Sequence, residues 1–137
     1  MWELYAVLSA VFAALTAIFA KVGVKDIDAN LATAIRVSCI LVLTWSIVLA
    51  TGTAKEIKDV QPVTLCFLVL SAIATGLSWL CYFRALQLGP VSKVAPIDKL
   101  SVAITIALSI LFLNEPASFK TILGGLLIVA GSLVLLL

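Results

Sequence analysis

Five long stretches without a charged residue set the terms for this chain: Leu4 to Ala20, Val37 to Ala54, Val60 to Phe83, Leu100 to Asn114 and Thr121 to Leu137, of 17, 18, 24, 15 and 17 residues. A hydrocarbon core of about 30 Å takes about 20 helical residues, with a range of about 17 to 25, so four of the five reach spanning length unaided. The fourth becomes long enough when it is extended back to Val94, which takes Asp98 and Lys99 into the membrane. Composition agrees. Only 12% of the 137 residues are charged and 64% are hydrophobic, whereas a soluble domain carries about 25% charged and about 45 to 50% apolar residues. A water-soluble enzyme is excluded first. Seven Gly, four Pro and three Cys are too few for disorder, collagen or a disulfide scaffold. Nine Lys/Arg against seven Asp/Glu leave a net charge of +2, too balanced for a nucleic-acid binder that must neutralise several phosphates.

The spacing predicts five transmembrane helices at roughly 3 to 21, 31 to 51, 63 to 87, 92 to 113 and 118 to 136. Turn chemistry separates them: Gly23 with Asp26, Asp28 and Asn30, then Gly52, then Gly89-Pro90, then Asn114-Glu115-Pro116. Only Gly52 to Pro62 leaves room for more than a turn, and Lys55, Glu56, Lys58 and Asp59 mark it as aqueous. Connections this short make successive helices antiparallel neighbours, so the expected architecture is one all-α integral membrane domain over 1–137.

With no positive n-region ahead of it and Glu3 where Lys or Arg belongs, the first run reads as a retained helix rather than a cleaved signal peptide. Cys39, Cys66 and Cys81 lie inside two helices without CxxC spacing, and no histidine is present to complete a metal or nucleophile site. They read as buried apolar filler. No metal, cofactor or catalytic constellation is expected: histidine, clustered acids and a Gly-rich phosphate loop are all lacking.

Five spans place the two termini on opposite sides. The N-terminal side carries Lys55, Lys58 and Lys120, and the other Lys21, Lys25, Arg84 and Lys93, which is almost no bias under the positive-inside rule. A chain with so little preference is able to insert both ways, and an odd-span unit beside its flipped copy reproduces the symmetry of inverted-repeat transporters. A homodimer, parallel or antiparallel, is therefore a physical option.

Polar residues recur on helical faces. The third helix aligns Ser71, Thr75, Ser78 and Tyr82, with Trp79 beside them, and the fourth aligns Asp98, Ser101, Thr105 and Ser109. The first aligns Tyr5, Ser9 and Thr16, and the second carries Thr33, Arg36 and Thr44. Stripes on four helices point to an interior lined for a polar solute, since lipid gives such groups no partner. Packing is the competing reading: Ser and Thr also bond back to the carbonyl four residues earlier and act as small packing residues.

Intramembrane charge is the sharper signal. An ionised Arg, Lys or Asp at the bilayer centre costs about 2.5 to 3.5 kcal/mol on insertion scales, so Arg36, Asp98 and Lys99 need partners or water. Arg36 is placed about 8 Å into a helix that starts at Leu31, within reach of snorkelling. Neighbours on a helix do not face each other, so Asp98 and Lys99 are each expected to need a partner elsewhere. Pro96 removes a donor just before them, which predicts an irregular segment of the kind where transporters place sites and hinges. The alternative is a structural ion pair that locks the fourth helix to the second or third. The fifth helix sets Gly124, Ile128 and Gly131 on one face, a candidate dimer contact or an internal packing face.

Three stretches carry a family resemblance: "ALTAIFAKVGVKDIDANLATAIR" at 14–36, "YFRALQLGPVSKVAPIDKLSV" at 82–102 and "LFLNEPASFKTILGGLLIVAGSLVLL" at 111–136. Together they resemble EamA-type members of the drug/metabolite transporter superfamily, in particular short members with one five-helix unit where longer relatives hold two. The most specific parts are "APIDKLS" and Glu115 followed by "GGLLIVAGSL". The resemblance implies a single-repeat drug/metabolite transporter fold. It also implies a multi-pass transporter of small metabolites in the plasma (inner) membrane, working by alternating access. Small multidrug resistance transporters, which are related, have four helices and a membrane-embedded glutamate midway along the first, where proton and cationic drug share a site. Phe12, Ala13 and Ala14 hold that depth here and Glu3 sits near the helix start, so that exchange site is absent in that form.

The leading expectation is a secondary transporter of small metabolites or related polar solutes. Its substrate path is expected along Ser9, Thr16, Ser71, Thr75, Ser78, Trp79, Tyr82, Ser101 and Thr105, with Arg36, Asp98 and Lys99 setting charge and gating. The alternative is an accessory or lipid-handling membrane subunit that works with a different chain.

Overall fold

The computed structural model describes residues 1–137, and every regular element in it is helical. In chain order these are α1 (Trp2–Gly23), α2 (Ala29–Thr51), a 3₁₀ helix (Thr53–Asp59), α3 (Pro62–Leu88), α4 (Val91–Asp98), α5 (Leu100–Phe112) and α6 (Phe119–Val134).

Each boundary has a local cause. Asp28 caps α2, its Oδ1 accepting from the backbone N–H of Asn30 at 2.8 Å and Leu31 at 3.2 Å, so the helix begins two residues ahead of the expected Leu31. Gly52, at φ 74°, ends α2 in the left-handed conformation that glycine adopts without strain. The room left between Gly52 and Pro62 is filled by the 3₁₀ helix. Pro62 opens α3, where its missing N–H is no loss. Asn114 turns the chain with φ 52°, and Ser118 caps α6 by accepting from the N–H of Thr121 at 3.1 Å. Beyond Val134, Leu136 and Leu137 close i−3 turns onto Leu133 and Val134, so the last helix stops short of the expected 136.

The fourth expected helix is two. α4 ends at Asp98 and α5 begins at Leu100, with Lys99 at φ −71°, ψ −8° between them. Pro96 brings no donor, and the N–H of Lys99 bonds to the Pro96 carbonyl three residues back at 3.1 Å. The interruption predicted near Pro96 therefore falls at Lys99. Four stretches are long and apolar enough to cross a membrane: Trp2–Gly23, Ala29–Thr51, Pro62–Leu88, and Val91–Phe112, which α4 and α5 make up together. Phe119–Val134 is apolar but shorter, at 16 residues, or about 24 Å of helix.

The chain divides into two compact units. One, Phe19–Gln87, buries Val24, Ala29, Thr33, Phe83 and Leu86, residues from the α1–α2 connection, the start of α2 and the end of α3. The Gln87 amide donates to the carbonyls of Val24 at 3.0 Å and Ile27 at 2.7 Å, while its own oxygen accepts from Arg84 Nη1 at 3.0 Å. The Lys21 ammonium donates to the Leu86 carbonyl. These bonds tie the α1–α2 connection to the last turn of α3.

The other unit, Met1–Ile18 with Leu88–Leu137, is built on α5 and α6. Gly125 is buried because α5 approaches closely there: a Cβ on it would stand 3.1 Å from Ile106 Cδ1. Ser132, seven residues on, donates to the Pro96 carbonyl at 3.0 Å, and Lys93 Nζ reaches the Leu136 carbonyl at 3.2 Å. On α1, α2, α3 and α6 the bulk of the large apolar side chains face outward. That suits lipid, where helix association rests on packing and hydrogen bonds rather than on removing apolar surface from water. The cysteines correct one expectation: Cys39, Cys66 and Cys81 are free and exposed on their helices rather than buried as filler.

Candidate functional site

Two of the three intramembrane charges meet each other. Lys99 Nζ lies 3.1 Å from Asp98 Oδ2, in an ion pair with the aspartate about one-third exposed and the lysine half exposed. This overturns the expectation that each needs a partner elsewhere. The rule that adjacent residues diverge holds for a continuous helix, and here the helix breaks at Lys99. The Pro96 carbonyl, two residues before Asp98, accepts from both Lys99 N and Ser132 Oγ, which anchors the break to α6.

Arg36 lies about 10 Å along α2 from Ala29, slightly deeper than a start at Leu31 implied. Its guanidinium carbon stands 4.2 Å from the centre of the Trp79 ring and 5.4 Å from that of Phe83. Trp79 and Phe83 are four apart on α3 and so share a face. Tyr82 sits on the neighbouring face, its ring 6.4 Å from Phe83 and tilted to it by 57°. The helix that bears Arg36 supplies no acid within its own span. Asp28, the carboxylate just before it in sequence, is committed to the α2 cap.

The hydroxyl stripes divide. Thr75 Oγ1 bonds back to the Ser71 carbonyl at 2.8 Å, Thr33 to Ala29 at 2.8 Å, Thr44 to Ile40 at 2.9 Å and Ser109 to Ile106 at 3.0 Å. These follow the packing alternative, the hydroxyl serving its own helix. Ser9, Ser71, Thr75, Ser78, Ser101 and Thr105 are exposed, while Thr16, Trp79 and Tyr82 are half-buried. Trp79 is thus brought to Arg36, and Asp98 to Lys99.

On α6 the two adjacent glycines separate. Gly125 packs on Ile106, whereas a Cβ at Gly124 or Gly131 would meet nothing within 4 Å. Ile128 and Gly131 are exposed, leaving the expected contact face open. Next to Gly125 runs an apolar groove of about 210 Å³, lined by Ala103, Ile106, Ala107 and Ile110 of α5 with Ile122 and Val129 of α6. No group of three or more His, Cys, Asp or Glu side chains is placed to hold a metal ion.

Phe83, Gln87, Gly125 and Ser132 hold parts of these sites without having been singled out in the sequence. Phe83 had a signal in its four-residue step from Trp79, and Ser132 in its seven-residue step from Gly125. Gln87 had none beyond its polarity at a helix end.

Comparison with known proteins gives a consistent picture. The EamA-like transporter family matches over residues 1–137. A Sinorhizobium protein described as an uncharacterized transporter in the cobO 3' region is 48% identical over 134 residues, covering 98% of this chain and 95% of that one. An uncharacterized protein of Methanocaldococcus jannaschii is 35% identical over 81 residues, or 59% of each chain. No solved structure matches. With a family match over the whole sequence and helices of membrane-spanning length and apolarity, this chain belongs to the EamA-like transporter family and is a multi-pass membrane transporter.

Proposed function

We propose that the chain is a secondary transporter that moves small polar metabolites across the plasma membrane by alternating access. In this reading residues 1–137 form one five-span domain that works as a homodimer, parallel or antiparallel. The observation that carries it is the interruption of the fourth span at Lys99. A break in a membrane helix frees backbone groups and supplies a hinge, and it is tolerated where it lines a cavity or is covered by protein. Here it coincides with the Asp98–Lys99 pair, so a charged group and a hinge occupy one place. Asp98 is the one acid deep within a span, Glu3 standing in the first turn of α1, and takes the role of proton-coupling group, with Lys99 as its counter-charge. Ser71, Thr75, Ser78, Trp79 and Tyr82 of α3 are the path candidates of one unit, and Ser9, Thr16, Ser101 and Thr105 those of the other.

The dimer is supported by exposure. Ser71 and Ser78 face outward in the single chain, a position lipid penalises and a second copy relieves. The open Gly124, Ile128 and Gly131 face lies on the one helix that is short of full span, and helices that are too short gain from association. Crosslinking of the reconstituted protein tests this reading: a dimer that carries flux supports it, and a transporting protein that crosslinks only as a monomer contradicts it. Labelling of single cysteines at the two termini then reads the orientation of each copy.

A further inference from the structure

Arg36 carries a charge the fold does not neutralise. It takes part in neither of the two ion pairs, Met1 with Glu3 and Lys99 with Asp98; its ring contacts are with Trp79 and Phe83, and the Tyr82 side chain is its electrostatic neighbour. Cation–π attraction offsets only part of the cost of placing the charge in the span. The rings also leave the hydrogen-bonding demand unmet. A guanidinium presents five N–H donors in its own plane, and the rings of Trp79 and Phe83 offer them no oxygen or nitrogen acceptor. The in-plane fork matches the spacing of two oxygens on a carboxylate or phosphate. The four acids of the same unit, Asp26, Asp28, Glu56 and Asp59, all lie in connections rather than in α2 or α3. Arg36 is half-buried, so its edge is reachable while Trp79 and Phe83 hold its position.

We propose that Arg36, backed by Trp79 and Phe83, is an oxyanion site and that the solute carried is an organic carboxylate or phosphate. The second half rests on the transporter reading above; the first does not. The rings fix the guanidinium without discharging it, and the missing counter-charge arrives with the ligand. A lipid headgroup phosphate offers the same chemistry, so the source must be read by experiment.

Trp79 lies directly on the site and serves as the reporter. In a Trp2→Phe, Trp45→Phe background it is the sole tryptophan, and its emission is followed in maltoside micelles, which contain no phosphate. Citrate and inorganic phosphate are expected to change the emission saturably, with chloride at equal ionic strength giving no change. Arg36→Gln should abolish the response. Arg36→Lys, which keeps the charge but loses the fork, should weaken binding about tenfold, the equivalent of one charge-assisted hydrogen bond. A response to added phosphatidylglycerol but to neither soluble anion assigns the site to lipid and overturns the substrate class. No response to any of them overturns the site. Flux in proteoliposomes separates the two claims: a neutral or cationic solute carried equally by wild type and Arg36→Gln overturns the substrate class and leaves the transporter reading intact. Anion binding with no flux of any solute counts against the transporter reading alone.

Discussion

The Arg36 guanidinium rests 4.2 Å from the centre of the Trp79 ring, a pairing of α2 with α3 made by side chains rather than by close backbone approach. Its strength is measurable by a double-mutant cycle. Arg36→Gln and Trp79→Leu, alone and together, should show a coupling of about 0.5 to 2 kcal/mol in denaturant unfolding from detergent. Additive effects would mean that the two groups do not interact.

Gly125 and Gly124 are adjacent and should behave oppositely. Gly125→Val drives side-chain atoms into Ile106, whose Cδ1 already stands 3.1 Å from a would-be Cβ, and should cost about 1 to 3 kcal/mol. Ile106→Ala in the same chain should recover part of that loss. Gly124→Val meets nothing within 4 Å and should leave the stability of the monomer unchanged while weakening the dimer. Equal unfolding of both variants would contradict the packing of α6 on α5 at Gly125.

Gln87 holds two carbonyls of the α1–α2 connection. Gln87→Leu should release them at a cost of about 1 to 3 kcal/mol, read as faster hydrogen exchange over Val24–Asp28. Unchanged exchange there would show that the connection is fixed by its apolar contacts alone.

The spans were legible because charge is absent over long runs, and the turns because Asp28, Gly52 and Asn114 are residues whose backbone or side-chain chemistry stops or starts helices. Helical periodicity also put Arg36 on one face with Thr33, and Gly124 on one face with Gly131. It stopped at the choice of neighbour. Gly124 and Gly125 differ by about 100° around the same helix, and only the approach of α5 decides which of them is enclosed. The Ser132 to Pro96 bond joins residues 36 apart, with no local pattern to announce it. Asp98 and Lys99 were misread for a specific reason: the rule used for them presumes an unbroken helix, and the break falls between α4 and α5 at Lys99 itself. The cysteines were misread because burial statistics from soluble proteins do not carry over to helices whose outer faces meet lipid.

Asp98 is the group assigned to proton coupling, so Asp98→Asn should slow transport and flatten its dependence on pH. Lys99→Gln, which removes the counter-charge and keeps the acid, should shift that dependence rather than abolish it. Transport by Asp98→Asn at the wild-type rate, with unchanged pH dependence, would remove the role.

The most direct test of the transporter assignment is flux by the purified chain alone, reconstituted in proteoliposomes at two pH values against amino acids, sugars, nucleosides, organic cations and organic anions. Saturable uptake of at least one class above protein-free liposomes is the expected result. Flux that is absent for every class with this chain alone, and that emerges only when a second, different chain is added, would contradict it and make the protein a subunit of a larger assembly.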